Sequence, residues 1–161
     1  MLTRTAVFVA LIALGGWTSI PLPIPVPFTF QTLFVLLAAT QLRRHAVVPV
    51  AVYLLLGAVN IPVFHSGLAG IGVLLGPTGG YLAGFLPAAL VGGLAYEHES
   101  SAIRLGGLLA ASLLILACGT GWLVFSTGMP VAGAVAIGML PFLPGDLLKA
   151  GIAYAIAKRL P

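Results

Sequence analysis

The chain has 161 residues, of which 60% are hydrophobic and only 6% are charged, whereas soluble domains carry about 25% charged residues. Its seven basic and three acidic residues leave three charge-free stretches, 5–42, 46–96 and 105–145, each far longer than the ~20 apolar residues that cross a bilayer as a helix. This composition excludes a soluble enzyme, a nucleic-acid-binding protein and a disordered chain, and it predicts an all-α, polytopic membrane protein.

Prolines, glycines and charged residues divide the apolar stretches into predicted spans, because backbone polar groups at bilayer depth must be satisfied within helices. The first span leads into a connection at 21–27 in which prolines alternate with apolar residues, and such a segment cannot be helical. Arg43, Arg44 and His45 end the second span, and the glycines of 76–80 interrupt the fourth. The six predicted transmembrane helices are 4–20, 28–42, 46–61, 68–96, 105–126 and 141–160.

The stretch 131–140 is apolar but lies between Pro130 and Pro141. At 1.5 Å of rise per residue it is about 15 Å long, which is half the thickness of a bilayer core. We therefore predict an interfacial or re-entrant segment before the sixth helix. Six spans take about 120 residues, so no separate soluble domain fits, and the whole chain, 1–161, is expected to form a single transmembrane domain.

Basic residues fall on one side of the six-helix arrangement. They occur near the N-terminus, in the connections after the second and fourth helices, and near the C-terminus. These residues are Arg4, Arg43, Arg44, Arg104, Lys158 and Arg159. The connections after the first, third and fifth helices contain no basic residue, since Lys149 lies within the sixth helix. The positive-inside rule then predicts that both termini are cytoplasmic in a multi-pass protein of the cell membrane.

Asp146 and Lys149 are the strongest candidates for a binding site. They are three residues apart in the sixth predicted span, which places them on one face of a helix. Ionisable residues within a membrane are costly and are functional candidates by default. A lysine beside a carboxylate suits an anionic substrate group in a dry pocket. The alternative is an ion pair that only attaches the last span to its neighbours.

Three other places offer polar groups near the ends of predicted spans. The segment 76–81 combines bare backbone with a hydroxyl and a phenol, although close helix packing through small residues is an alternative. Thr29 could equally cap the second span, and Asn60 could cap the third, instead of contacting substrate. The candidate substrate-binding residues at these places are Gly76, Thr78, Gly79, Gly80, Tyr81, Thr29, Gln31 and Asn60.

Enzymatic functions are not supported by the residues present. An intramembrane aspartyl protease needs two aspartates, and Asp146 is the only one in the chain. The sequence has no Cys/His spacing for a metal and no Gly-Lys-Ser/Thr phosphate loop. We therefore predict a non-enzymatic protein without a metal or resident cofactor, in which any active transport draws its energy from a partner.

Ala6 and Ala10, continued by Ala13, form a stripe of small residues along the first predicted span. Such a stripe lets another helix approach closely. That helix could belong to this chain or to a partner protein.

Four ordered segments resemble the biotin-specific substrate-binding S components of energy-coupling factor (ECF) vitamin transporters. They are PVPFTFQTLFVLLA at 25–38, YLLLG at 53–57 with PVF at 62–64, GVLLGPTGGYL at 72–82 and FLPGDLLKA at 142–150. The resemblance implies a six-helix subunit that binds biotin from the outside. It also implies that the subunit docks on a transmembrane coupling protein, which is bound to two cytosolic ATPases. The docking face is a stripe of small residues on the first helix, and Ala6 and Ala10 match it.

Biotin suits the chemistry of these residues. Its fused rings fit an apolar pocket, its ureido group needs a few donors and acceptors, and its carboxylate needs a cation. We therefore expect Lys149 to contact the carboxylate and Asp146 to orient the lysine. The alternatives are an S component for another small carboxylate vitamin and a structural or assembly protein of the membrane without a ligand.

Overall fold

Helices form most of the computed structural model, which describes residues 1–159. Within these residues the α-helices are α1 Leu2–Trp17, α2 Gln31–Leu42, α3 Val47–Ala58, α4 Ile71–Leu75, α5 Gly79–Ala95, α6 Ser101–Thr127, α7 Val131–Gly138 and α8 Leu143–Ala157. Two short strands, β1 Ser19–Ile20 and β2 Phe28–Thr29, and two 3-10 turns, Arg43–Ala46 and His65–Gly67, complete the fold. The mostly helical architecture confirms the coarse prediction of the fold class.

Within residues 1–159, two helical segments are long and apolar enough to cross a membrane, Gln31–Ala58 and Ser101–Thr127. Helices α7 and α8 meet at a bend of 50° and would together form a third, while α1 and α5 are apolar but shorter. The half-length α7 agrees with the short segment expected at 131–140. The sixth helix was expected to reach Leu160, which lies outside the described residues. The number of spans and the location of the termini stay predictions.

A β-hairpin replaces the helix ends that were expected on both sides of the proline-rich connection. Helix α1 ends at Trp17, and Ser19 and Ile20 pair in antiparallel fashion with Thr29 and Phe28. The expectation that residues 18–20 and 28–30 are helical was therefore wrong. The alternating prolines prevent a helix from continuing, and strand pairing satisfies the backbone groups beside them instead.

The segment Gln31–Ala58 is broken at Arg43, whose backbone has φ 54° and ψ −136°. The following Arg44 donates from Nε to Glu97 Oε1 at 2.6 Å. Glu97 lies in the connection between α5 and α6, and the Arg44 guanidinium lowers the pKa of this half-buried carboxyl to about 2. The ion pair therefore persists at neutral pH and joins the α2–α3 turn to the α5–α6 connection.

Glycines allow α5 and α6 to pack closely along their length. An added Cβ at Gly80 would overlap the Trp122 side chain, and one at Gly119 would overlap the Tyr81 ring. In the same way, Gly107 makes room for Ala95. This helix pair forms one wall, on which α2, α3, α4, α7 and α8 pack, while α1 packs on α2 and α3.

Large apolar side chains lie on the outside of the helices as well as in the core. Fully buried residues include Ile12, Leu36, Tyr53, Phe64, Leu108, Ile115 and Leu123. Exposed ones include Leu55, Val59, Leu75, Phe125 and Leu148. So many large apolar side chains at the surface are typical of a protein whose outer face is in contact with lipid.

Replacement of Gly93 tests the packing of α5 against the Arg43 turn. An added Cβ would overlap the carbonyl group of Arg43, so Gly93→Ala should force a backbone shift and cost about 1–3 kcal/mol of stability. Thermal unfolding of the purified protein in detergent measures the loss. Gly106→Ala is the matched control, because nothing lies within 4 Å of its added Cβ. Equal melting temperatures for the two variants would contradict this packing.

Candidate functional site

A cavity lies between the β-hairpin, the loop after α3 and helices α2, α5, α6 and α8. Its empty volume, which includes space open to the outside, is about 490 Å³. The apolar lining residues are Val26, Pro27, Leu82, Phe85, Ile115, Leu116 and Phe142. The polar lining residues are Thr29, Gln31, Thr32, His65, Thr78, Tyr81, Asp146 and Lys149.

Asp146 and Lys149 form a buried ion pair in this wall. Lys149 Nζ donates to Asp146 Oδ1 at 2.7 Å, and the two residues are only 5% and 4% exposed, respectively. The expected common helix face is therefore found. Asp146 lies in the first turn of α8, where the partial positive charge of the helix N-terminus favours a carboxylate. Ser112 of α6 donates to the Asp146 backbone carbonyl at 3.3 Å and so attaches this turn to α6.

Lys149 has two further partners in strand β2. Its Nζ donates to the Thr29 carbonyl oxygen at 2.7 Å and lies 4.0 Å from the centroid of the Phe28 ring. Gly145 permits this arrangement, because an added Cβ there would lie 2.7 Å from the same ring. The charge of Lys149 is thus compensated, and the pair offers the cavity a neutral combination of one donor and one acceptor.

Gln31 is the first residue of α2 and is 2% exposed. Its Nε2 donates to the hydroxyl of Tyr53 on α3. Thr29 was expected either to cap α2 or to contact a ligand. The N-cap residue is Phe30, without a side-chain cap, while Thr29 lines the cavity and supplies the carbonyl that binds Lys149.

His65, Thr78 and Tyr81 form a second polar group in the lining. His65 Nε2 and Thr78 Oγ1 are hydrogen-bonded at 3.1 Å, and the Tyr81 hydroxyl donates to the Gly138 carbonyl at 2.7 Å. Burial lowers the pKa of His65, so its imidazole is neutral at neutral pH. No local motif in the sequence links His65 to its partner Thr78, because only the fold brings the two residues together.

Gly76, Gly79, Gly80 and Asn60 lie outside the cavity lining. The Gly76 carbonyl accepts from Trp122 Nε1 at 2.9 Å, and added Cβ atoms at Gly79 and Gly80 would overlap neighbouring groups. Asn60, with φ 69°, ends α3 in the left-handed conformation that follows many helices. The geometry of these residues therefore matches the packing and capping alternatives.

Ala6 and Ala10 lie on the exposed face of α1, opposite the buried Phe8 and Ile12. Ala10 also borders an apolar groove with an empty volume of about 750 Å³. The other residues of this groove are Ala13, Leu14, Trp17, Ile61, Pro62 and Val63. Ala6 and Ala10 are therefore exposed, whereas Ala13 is half-buried and packs against the core.

The chain is similar to known proteins along its whole length. A family model described as the BioY family matches residues 1–161. A protein named Biotin transporter BioY from Thermotoga maritima is 44% identical over 161 residues, covering 99% of this chain and 94% of that protein. A Probable biotin transporter BioY from Pyrococcus horikoshii is 37% identical over 156 residues, covering 96% and 92%.

One solved structure shares the fold. It is a crystal structure of the S component for biotin from an ECF-type ABC transporter, with a TM-score of 0.89 and 28% sequence identity. The match covers 98% of this chain and 88% of that one. Together with the family match over residues 1–161, this shows that the chain belongs to the BioY family.

Proposed function

We propose that this chain is the biotin-binding S component of an ECF-type transporter and mediates biotin uptake across the cell membrane. The observation that carries the proposal is the buried Asp146–Lys149 pair in the wall of a mostly apolar cavity, in a member of the BioY family. The chain acts as a transport component and not as an enzyme. Biotin is its transported ligand and not a cofactor.

The closed ion pair suits the ureido group of biotin. Two of the three Lys149 protons are engaged by Asp146 and Thr29, which leaves one for a carbonyl oxygen, and Asp146 can accept from a ligand N–H. A carboxylate in this place would add an uncompensated negative charge beside Asp146, which is costly in a buried site. The sequence alone assigned Lys149 to the carboxylate. The geometry favours the ureido group, with the apolar rings against Phe85 and Leu116.

Replacement of Lys149 tests its role in binding. Charged hydrogen bonds contribute roughly 1.5–3 kcal/mol, so Lys149→Met should weaken biotin binding about 10- to 150-fold. Contact with the ureido group predicts an equal loss for biotin amide, whereas contact with the carboxylate predicts a loss for biotin only. Equilibrium binding of both ligands to purified protein measures this difference. Lys158→Met, at an exposed position after α8, is the control.

Asp146→Asn should also weaken biotin binding, because it leaves Lys149 without its counter-charge. Since the two residues act as a unit, the double variant should lose less affinity than the sum of the single losses. Unchanged affinity in well-folded single variants would remove the pair from the binding site and favour a purely structural role for the pair.

The proposed topology has six spans, formed by α1, α2, α3, α4 with α5, α6 and α8, and α7 is the interfacial or re-entrant segment before the last span. The break at Arg43 supports the separation of α2 and α3. A single span over Gln31–Ala58 would place Arg43, Arg44 and His45 near the bilayer centre, at high cost. The distribution of basic residues then locates both termini in the cytoplasm.

Reporter fusions test this orientation. A reporter that is active only in the cytoplasm should work when fused after Pro161, and one that is active only after export should not. The opposite pattern of activity would contradict a cytoplasmic C-terminus. Fusions in the α2–α3 turn provide a second cytoplasmic position that the same topology requires.

The proposed partners are a transmembrane coupling protein and two cytosolic ATPases of an ECF module, together with the lipid bilayer and without nucleic acid. The exposed Ala6 and Ala10 support a helix-packing face toward the coupling protein. Adding bulk there should interfere with assembly and not with the cavity.

The variant carrying both Ala6→Leu and Ala10→Leu should lose biotin uptake and complex assembly while its biotin affinity stays nearly unchanged. Uptake by cells, co-purification of the module and binding in detergent measure the three properties. Ala132→Leu with Ala136→Leu is a control of the same spacing, because both alanines are exposed on α7. Lost biotin binding with normal assembly would show that the stripe packs internally.

A further inference from the structure

The side-chain amide of Gln31 is held by residues that do not line the cavity themselves. Gln31 Nε2 donates to the Tyr53 hydroxyl, while Gln31 belongs to the cavity wall and Tyr53 does not. Among residues 1–159, nothing donates a hydrogen bond to the amide oxygen Oε1. Any role of Tyr53 in ligand binding must therefore act through Gln31.

The Tyr53 hydroxyl has little freedom to move. The residue is fully buried, and its ring packs edge-on against Phe64 with 5.6 Å between the centroids. Phe64 is itself fully buried and lies against Gly57, where an added Cβ would overlap its ring. The hydroxyl is thus a fixed partner that determines where the Gln31 amide can lie.

Gly16 of α1 supplies the space for the amide on its other side. An added Cβ at Gly16 would lie 2.9 Å from Gln31 Nε2 and 3.1 Å from Gln31 Cδ. The two nearest atoms belong to the tip of a flexible side chain, and the next is the backbone nitrogen of His65 at 3.3 Å. Substitution at this position should therefore displace the amide and require only a small shift of the His65 backbone, at little cost to the fold.

We propose that Tyr53 and Gly16 are positioning residues that fix the Gln31 amide, so that Oε1 accepts a hydrogen bond from an N–H group of the bound ligand. The inference rests on the proposed function, since the ureido group of biotin supplies the N–H. A rigid acceptor selects for such a donor, because a ligand without it leaves the buried amide oxygen unpaired. Gln31 would then recognise one ureido nitrogen while Asp146 accepts from the other.

The test compares biotin with two analogues, each methylated at one ureido nitrogen. Tyr53→Phe removes the hydroxyl and retains the ring that packs on Phe64. It should weaken biotin binding about 3- to 10-fold and reduce discrimination against one of the two analogues. Gln31→Leu should abolish that discrimination, and Tyr53→Phe should have no further effect in the Gln31→Leu background.

Gly16→Ala should reproduce the Tyr53→Phe phenotype with an unchanged melting temperature, which keeps the proposal testable if the tyrosine variant folds poorly. Gly121→Ala, where nothing lies within 4 Å of the added Cβ, is the control. The proposal would be overturned if Tyr53→Phe lowered biotin affinity equally in the wild-type and the Gln31→Leu backgrounds. It would also be overturned if Tyr53→Phe and Gly16→Ala left the discrimination against the methylated analogues unchanged. A wild-type protein that fails to bind biotin would instead contradict the proposed function.

Discussion

The Asp146–Lys149 ion pair is the interaction around which the cavity is organised. Removing two charges from water costs several kcal/mol for each ion, so the surrounding chain must compensate both. The N-terminal turn of α8 favours the carboxylate, while the Thr29 carbonyl and the Phe28 ring accompany the ammonium. Strand β2 is consequently drawn against α8, and Ser112 attaches α6 to the same turn. The pair thereby joins the start of the chain to its last helix.

The same compensation determines what the site can recognise. A free lysine in an apolar cavity would select an anion, but a lysine closed on an aspartate selects a neutral group with both a donor and an acceptor. Gln31 adds a further amide to this wall, and His65, neutral because burial lowers its pKa, adds a group without charge. The cavity therefore combines apolar surface for a ring system with fixed polar groups for one small polar group of the ligand, as expected for a small-molecule site.

The features that could be predicted from sequence are those set by local rules. Proline alternation at 21–27 excluded a helix there, and the three-residue spacing of Asp146 and Lys149 placed them on one face. For Asn60, the sequence could not distinguish a capping residue from a substrate contact, because capping depends on a left-handed backbone that only the structure shows. The contributions of His65 and Tyr53 were not found, since their partners Thr78 and Gln31 are 13 and 22 residues away and meet them only through tertiary packing.

Equilibrium titration of labelled biotin onto the purified, detergent-solubilised protein tests the central claim most directly. The cavity and its neutral Asp146–Lys149 pair predict saturable binding of one biotin per chain, with full displacement by unlabelled biotin. A folded protein that shows no saturable binding would contradict the account, and the ion pair would then serve only to hold α8 against β2.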